Sequence, residues 1–399
     1  VTTQAHSAES FINSIGVAMH LHYTDTPYGK YDEIIKPRLQ ELGILHVRDS
    51  LPFGDLSTQK KFSDLAKIGI KSTLIMDPRD NSSSSAVSAV KSIPESVEAI
   101  EGPNEWDISP QLWYKGQNFP EGVREFQAEL YLAIKSDSAT AHLPVLSPSM
   151  AYAPNAPILG NVACDIGNMH SYSGGKMPTT GLDDLWIPNA KILCGENKPV
   201  IATECGYHNN IYQGGEGHPG VSEQVAAKYL LRLYFEYFNR GIKRAFIHQL
   251  IDIEPPSPKE LSFRLLRYDG SPKLNFIALK NLISLLKDSK AIVSKSTSPK
   301  LLNYNLQGDN TNIHQTLLQK SNGNFYLILW QEVPSFDHKT KTDLVVPESS
   351  LTLTLNTPIS IATTYQPVNS INSLKQYKNV KRLKLKVPDH PLVIELVPV

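Results

Sequence analysis

The sequence predicts a (β/α)8 barrel of the TIM type followed by a C-terminal all-β sandwich. Three observations carry this expectation. Apolar runs alternate with helix-period segments through the first 290 residues, eight runs in all. Beyond that point the helical period gives way to short runs of period two. The chain is also 399 residues long, more than one hydrophobic core usually supports.

Taken in order, Ile15-Gly-Val-Ala-Met-His reads as the first strand, and Tyr31 to Leu42 as its helix, closed by Gly43. Ile44-Leu-His-Val-Arg-Asp, a helix near Ser57 to Ile68, Ser72-Thr-Leu-Ile-Met-Asp and a helix near Ser85 to Ile93 supply the second and third units. Val97 to Ile100 is the fourth strand, and the amphipathic segment from Pro120 is its helix, with Pro in the first turn, where its missing N–H costs little. Pro144-Val-Leu-Ser, Asp165-Ile-Gly-Asn-Met-His, Pro199-Val-Ile-Ala-Thr-Glu and Arg244-Ala-Phe-Ile-His-Gln-Leu are strands five to eight. Ser222 to Asn239 carries Val225, Tyr229, Leu230, Leu233, Tyr234 and Phe238 on one apolar stripe, and Lys273 to Lys287 is the eighth helix. The division falls between residues 1–290, the barrel, and 291–399, where Phe325-Tyr-Leu-Ile-Leu-Trp, Leu351-Thr-Leu-Thr-Leu and Arg382-Leu-Lys-Leu-Lys-Val alternate without an intervening helix.

Composition excludes several classes. Lys plus Arg and Asp plus Glu number 39 each, with no basic cluster, so the electrostatic footprint of a nucleic-acid binder is missing. Hydrophobic content of 41% and charged content of 20% are those of a globular protein. No apolar stretch approaches the ~20 residues that span a bilayer, which argues against a membrane partner. The chain starts at Val1 without an initiator Met, the pattern left when an export signal is cut or trimmed away. The three cysteines, Cys164, Cys194 and Cys205, are too few for a disulfide scaffold; a Cys164–Cys194 bridge and buried reduced thiols both remain open.

Two glutamates stand at the ends of apolar runs: Glu105 in Glu101-Gly-Pro-Asn-Glu-Trp and Glu204 in Ile201-Ala-Thr-Glu-Cys. Two carboxylates delivered by two strand ends suit glycosidic-bond chemistry, in which one carboxyl protonates the leaving oxygen and the other attacks the sugar or activates water. The other candidates also fall at the carboxyl ends of strands, where barrel active sites form: Arg48 and Asp49, Asn104, His170 and Tyr172, and His248 and Gln249. Of the last two, strand alternation lets only one face the interior. Trp106 could wall a sugar face, or equally belong to the core.

With Asn104-Glu105, His170-Ser-Tyr172 and Glu204 in this order, the chain resembles the clan A glycoside hydrolases over most of its first 290 residues, closest in appearance to family 39 enzymes and bacterial exopolysaccharide hydrolases. The resemblance implies a retaining hydrolase of oligo- or polysaccharides, with Glu105 as acid/base and Glu204 as nucleophile. It further implies that Asn104 bonds the sugar 2-hydroxyl, Tyr172 donates to the nucleophile and Arg48 keeps it ionised. His170, from its place beside them, either positions the acid/base or a sugar hydroxyl or makes a structural hydrogen bond. The resemblance names no particular sugar, because the segments with which those enzymes recognise xylose or iduronate do not align here. It also implies a carboxyl separation of ~5–5.5 Å, against ~6.5–9.5 Å for an inverting enzyme. A secreted or periplasmic, monomeric enzyme that needs neither metal nor cofactor completes the expectation.

Two other classes compete. His20-Leu-His22 after the first strand has the spacing of metal-dependent amidohydrolase barrels, with His170 and Asp252 as further ligands. Strand five, however, ends in Ser147-Pro-Ser149 with no ligand, and His142 lies on the opposite rim. In the glycosidase reading His20 and His22 are sugar-binding or structural. The second competitor is a carbohydrate-binding barrel without chemistry, which the presence of both carboxylates does not favour.

Overall fold

A computed structural model describes residues 1–213, 217–259, 261–289 and 298–399. The chain opens with β1 (Thr2–Gln4) and β2 (His6–Ser7), then α1 (Ala8–Ile12), whose N-cap Ser7 accepts from the Ser10 amide. The barrel follows: β3 (Ile15–Ala18), α2 (Lys36–Leu42), β4 (His46–Ser50), α3 (Leu56–Lys67), β5 (Lys71–Ile75), α4 (Ser83–Ser92), β6 (Val97–Glu101), α5 (Glu121–Ser136), β7 (Val145–Leu146), α6 (Ala156–Leu159), β8 (Gly167–His170), α7 (Ile187–Cys194), β9 (Val200–Cys205), α8 (Glu223–Asn239), β10 (Ala245–Ile247) and α9 (Leu274–Leu286).

The eight parallel strands run in the order β7-β6-β5-β4-β3-β10-β9-β8. The two ends of that order meet at the Leu146–Ile166 bridge, with Ser147 N donating to Ile166 O at 3.0 Å and Asp165 N to Val145 O at 2.7 Å. Inside, Ala99, Leu146, Ile166, Ile201 and Phe246 form a packed plug. Gly16 on β3 leaves room for the Phe246 ring, which any Cβ there would meet at 2.4 Å.

Several local expectations need correction. Residues 31–42 do not form one regular helix: Tyr31–Ile35 is a single wide π turn and α2 starts afresh at Lys36, because Pro37 cannot donate in an α-helical ladder and is tolerated only near a helix start. Gly43 closes α2 in the left-handed region at φ 80°. Pro120 is the N-cap of α5 and not a first-turn residue. The fifth unit has only the four-residue α6, not a full helix. Helix α8 is buried on nearly every side and carries no single stripe, because its second face docks on the β-domain.

The β-domain contains β11 (Leu301–Gly308), β12 (Ile313–Gln319), β13 (Phe325–Gln331), β14 (Phe336–Asp337), β15 (Thr342–Asp343), β16 (Ser349–Leu355), β17 (Ile359–Tyr365), β18 (Ser373–Lys378), β19 (Arg382–Val387) and β20 (Leu392–Pro398). A four-stranded sheet, β1-β11-β16-β19, faces a six-stranded one, β18-β17-β20-β13-β12-β2, over a shared core that includes Leu302, Leu353 and Leu385 from the first and Phe325, Leu327 and Ile394 from the second. Residues 2–7 thus join the sandwich sheets, although they precede the barrel in the chain. The boundary read at residues 290 and 291 lies outside the described residues.

Strand β13 is buried along its whole length. Phe325, Leu327 and Leu329 fill the sandwich, while Tyr326, Ile328 and Trp330 join the barrel core. Across this seam Arg232 of α8 donates from Nε to Glu332 Oε1 at 2.7 Å, from Nη1 to Ser335 Oγ at 3.0 Å and from Nη2 to Val333 O at 2.8 Å. No helix among the described residues is long and apolar enough to cross a membrane. Cys164, Cys194 and Cys205 are buried free thiols.

Candidate active site

Strand ends bring the site together. Inward positions on β6 alternate Ala99, Glu101, while Ile100 points to the outer core. On β4 the same alternation turns Arg48 inward and Val47 outward. Arg48 is almost wholly buried and meets two carboxylates: Nε and Nη2 hold Glu101 at 3.0 and 2.5 Å, and Nη1 reaches Glu204 Oε2 at 2.7 Å. Its Nη2 also donates to Asn104 Oδ1 at 2.9 Å.

On β9 the register slips against β8, so that Met169 pairs with Ala202 but His170 with Glu204, leaving Thr203 as an extra residue. Such a bulge re-aims side chains, and here both Thr203 and Glu204 turn towards His170. Tyr172 OH donates to Glu204 Oε1 at 2.7 Å. Burial alone would push the Glu204 carboxyl up. The opposing charges of His170, of His248 when protonated and of Arg48, together with the Tyr172 hydrogen bond, hold it well below the usual carboxylate range.

Glu105 sits past β6 on a loop tied across to the fifth strand: Asn104 bridges Ser149, and Glu105 N donates to Ser149 O at 3.1 Å. Its backbone is left-handed, φ 52° and ψ 41°, a conformation that costs a non-glycine residue about 1–2 kcal/mol and persists where surroundings over-determine it. Asp77, just after β5, is the brace. Its Oδ2 accepts from Asn104 N at 2.9 Å and from Trp106 Nε1 at 3.0 Å, and Arg79 secures the same carboxylate.

His170 joins the two glutamates. Its Nδ1 lies 2.5 Å from Glu105 Oε2 and 3.7 Å from Glu204 Oε2, and Nε2 lies 2.9 Å from Thr203 Oγ1, which donates to Asn168 Oδ1. Burial would lower its pKa, but the charges of Glu204 and Glu105 outweigh this and raise it above the ordinary histidine value. One oxygen of each glutamate and a ring nitrogen of His170 lie within 4.8 Å of one another. Such a set can also hold a cation, yet Glu204 already accepts from Arg48 and Tyr172, and Glu105 faces a histidine biased towards its charged form.

The remaining candidates are placed differently. Trp106 is 1% exposed, packed with Val123, Met150 and Leu193 and hydrogen-bonded to Asp77, so its indole is core and offers no wall to a sugar. His20 and His22 lie in the loop after β3 with their rings 6.1 Å apart and nearly perpendicular. His20 stacks on Tyr23, and burial pushes its pKa well down. His22 stands 3.7 Å from Asp49, whose charge outweighs burial and raises the imidazole pKa. Among the described residues the two do not converge with a third ligand, which removes the geometric basis of the amidohydrolase reading; His142 is exposed elsewhere. Strand β10 stops at Ile247; His248 faces Glu204, with Nδ1 3.8 Å from Oε1, while Gln249 lies behind it, its Nε2 3.2 Å from His248 Nε2 and its Oε1 accepting from Tyr28 OH. Glu101, Asp77 and Thr203 join the site without standing among the residues that the sequence singles out. Parity along Ala99-Ile-Glu and the place of Asp77 at a strand end were the signals available for the first two.

No protein-family model matches the chain, and no curated protein matches it. Solved structures similar to it include a β-glucuronidase from Ruminococcus gnavus, 14% identical over 67% of this chain with a TM-score of 0.48. A family 17 β-1,3-glucanosyltransferase from Rhizomucor miehei is 17% identical over 66% of this chain and 96% of its own length, TM-score 0.48. A family 2 β-galacturonidase from Eisenbergiella tayi is 16% identical over 68%, TM-score 0.48. The chain spans about half the length of the glucuronidase and the galacturonidase, 49% and 50%. At this level of likeness, what those enzymes act on says nothing about this chain.

Proposed function

We propose that this chain is a retaining clan A glycoside hydrolase acting on an oligo- or polysaccharide. The observation that carries the reading is that one oxygen of Glu105 and one of Glu204 lie within 4.8 Å of each other, in keeping with the ~5–5.5 Å between carboxyls of a retaining enzyme. Glu204, ionised by its donors, attacks the anomeric carbon while the bond to the leaving oxygen breaks and Glu105 delivers a proton to that oxygen. Glu105 then takes a proton from water, whose oxygen attacks the same carbon and frees Glu204. The Glu105 side chain is the more open of the two, 23% exposed against 12% for Glu204, as a group that must meet leaving group and water alternately requires. Asn104 Oδ1 is taken by Arg48, which leaves Nδ2 to donate to a sugar hydroxyl. Export from the cell fits a polymeric substrate.

A panel of 2-fluoro aryl glycosides, followed by mass spectrometry of the digested protein, tests this reading. The label should appear on Glu204, and the first product seen by proton NMR should retain the starting anomeric configuration. Label on Glu101 or another carboxylate, or an inverted first product, would sink it.

A further inference from the structure

The imidazole of His248 faces the other oxygen of Glu204. Its Nδ1 lies 3.8 Å from Oε1 and is buried with no hydrogen-bond partner among the described residues, and its Nε2 lies 3.2 Å from Gln249 Nε2. Two nitrogens at that distance make a hydrogen bond only if one donates and the other presents a lone pair. The buried Tyr28 decides which. Its hydroxyl donates to Gln249 Oε1, 2.5 Å away. With Oε1 accepting, the amide nitrogen of Gln249 must donate, and Nε2 of His248 must be bare.

Burial, with Arg264, Arg48 and His170 nearby and only partly opposed by Glu204, pushes His248 down to about 4, so it is neutral at ordinary pH. A neutral imidazole with a bare Nε2 carries its proton on Nδ1. Among the described residues, Oε1 of Glu204 accepts one hydrogen bond, from Tyr172, while Arg48 takes Oε2. A carboxylate oxygen has room for a second donor. At 3.8 Å the contact is open, and hydrogen bonds of this kind commonly tighten when substrate binds.

We propose that His248 is a positioning residue for Glu204: the buried relay Tyr28–Gln249–His248 locks the imidazole as the Nδ1–H tautomer and holds that N–H ready to close on Oε1. The proposal rests on Glu204 as the nucleophile for its effect on rate; the tautomer does not depend on that reading. When the bond between the anomeric carbon and the Glu204 oxygen breaks in the second step, the electron pair returns to the carboxylate. Tyr172 and Nδ1–H together then receive the charge, so breakdown of the glycosyl-enzyme is the step that gains most.

Nitrogen NMR of the full chain labelled at histidine tests the tautomer, with the His248 signals assigned by their loss in His248→Asn. Nδ1 should show the shift of a protonated ring nitrogen and Nε2 that of a bare one. In Gln249→Glu, whose carboxylate can only accept, the Nε2 signal should move to the protonated type. On an activated aryl glycoside, His248→Leu should lower kcat about 10²-fold, and His248→Asn, whose amide nitrogen overlays Nδ1, should recover most of that. A protonated Nε2 with a bare Nδ1 in the unaltered protein would overturn the inference, as would a His248→Leu loss no larger than that of His248→Asn. Label from a 2-fluoro glycoside on another carboxylate, with the Nδ1–H form intact, would instead overturn the nucleophile reading and leave the relay standing.

Discussion

Replacing Arg48 by Met probes the centre of the site. The side chain is 2% exposed and makes three hydrogen bonds to two carboxylates, Glu101 at 3.0 and 2.5 Å and Glu204 at 2.7 Å. Met keeps most of the volume and removes the charge, leaving two buried carboxylates without their cation. Breaking a buried pair by deleting one partner costs about 3–5 kcal/mol, whereas an exposed pair is worth at most about 1 kcal/mol. Stability should therefore fall by ~3–5 kcal/mol at pH 7, read from urea unfolding. The pH dependence has a definite sign. Glu204 has a depressed folded pKa, so its pairing contributes stability that is fully present above the unfolded value and is lost as pH falls through the folded one. The gap between Arg48→Met and the parent should be widest at neutral pH and should narrow in acid. Glu101→Gln added to Arg48→Met should restore part of the loss, because it removes one of the stranded charges. A neutral-pH loss under ~1 kcal/mol, or a gap that widens in acid, would refute the assignment of Arg48 as a buried ionic clamp.

Glu105→Ala should slow glycosides with poor leaving groups far more than activated aryl glycosides, and azide should rescue the latter; equal losses without rescue would remove Glu105 from acid/base duty. The pH profile of kcat/KM should have its acid limb below the ordinary Glu pKa of about 4.3, since Glu204 is held low. Tyr172→Phe should move the acid limb upward, because it removes a donor that holds Glu204 low; a limb that stays put would contradict this assignment. Arg232→Met, far from the chemistry, strands the buried Glu332 at the seam between barrel and sandwich and should lower stability by ~3–5 kcal/mol with kcat unchanged at 25 °C; a melting curve that does not shift would show the seam to be held by apolar packing alone.

Side-chain period is a local property, and what depends on it was legible in the chain itself. The βα rhythm, the carboxyl-end positions of Arg48, Glu105, His170 and Glu204, and the alternation in Arg382-Leu-Lys-Leu-Lys-Val each follow from spacing of 3.6 or 2 residues within one element. The face a residue presents is set there; the partner it meets is not. Trp106 follows a rim glutamate in sequence, yet Asp77 and the α5 side of the barrel draw it into the core. Phe325-Tyr-Leu-Ile-Leu-Trp is apolar on both faces because a barrel packs on one and a sheet on the other. Thr203 reaches His170 only through a register slip between β8 and β9. Glu101 meets Arg48 across 53 residues, and Tyr28 meets Gln249 across 221. Contacts over such separations exist only once the barrel closes, because ring closure, and not local propensity, brings the first strand beside the eighth.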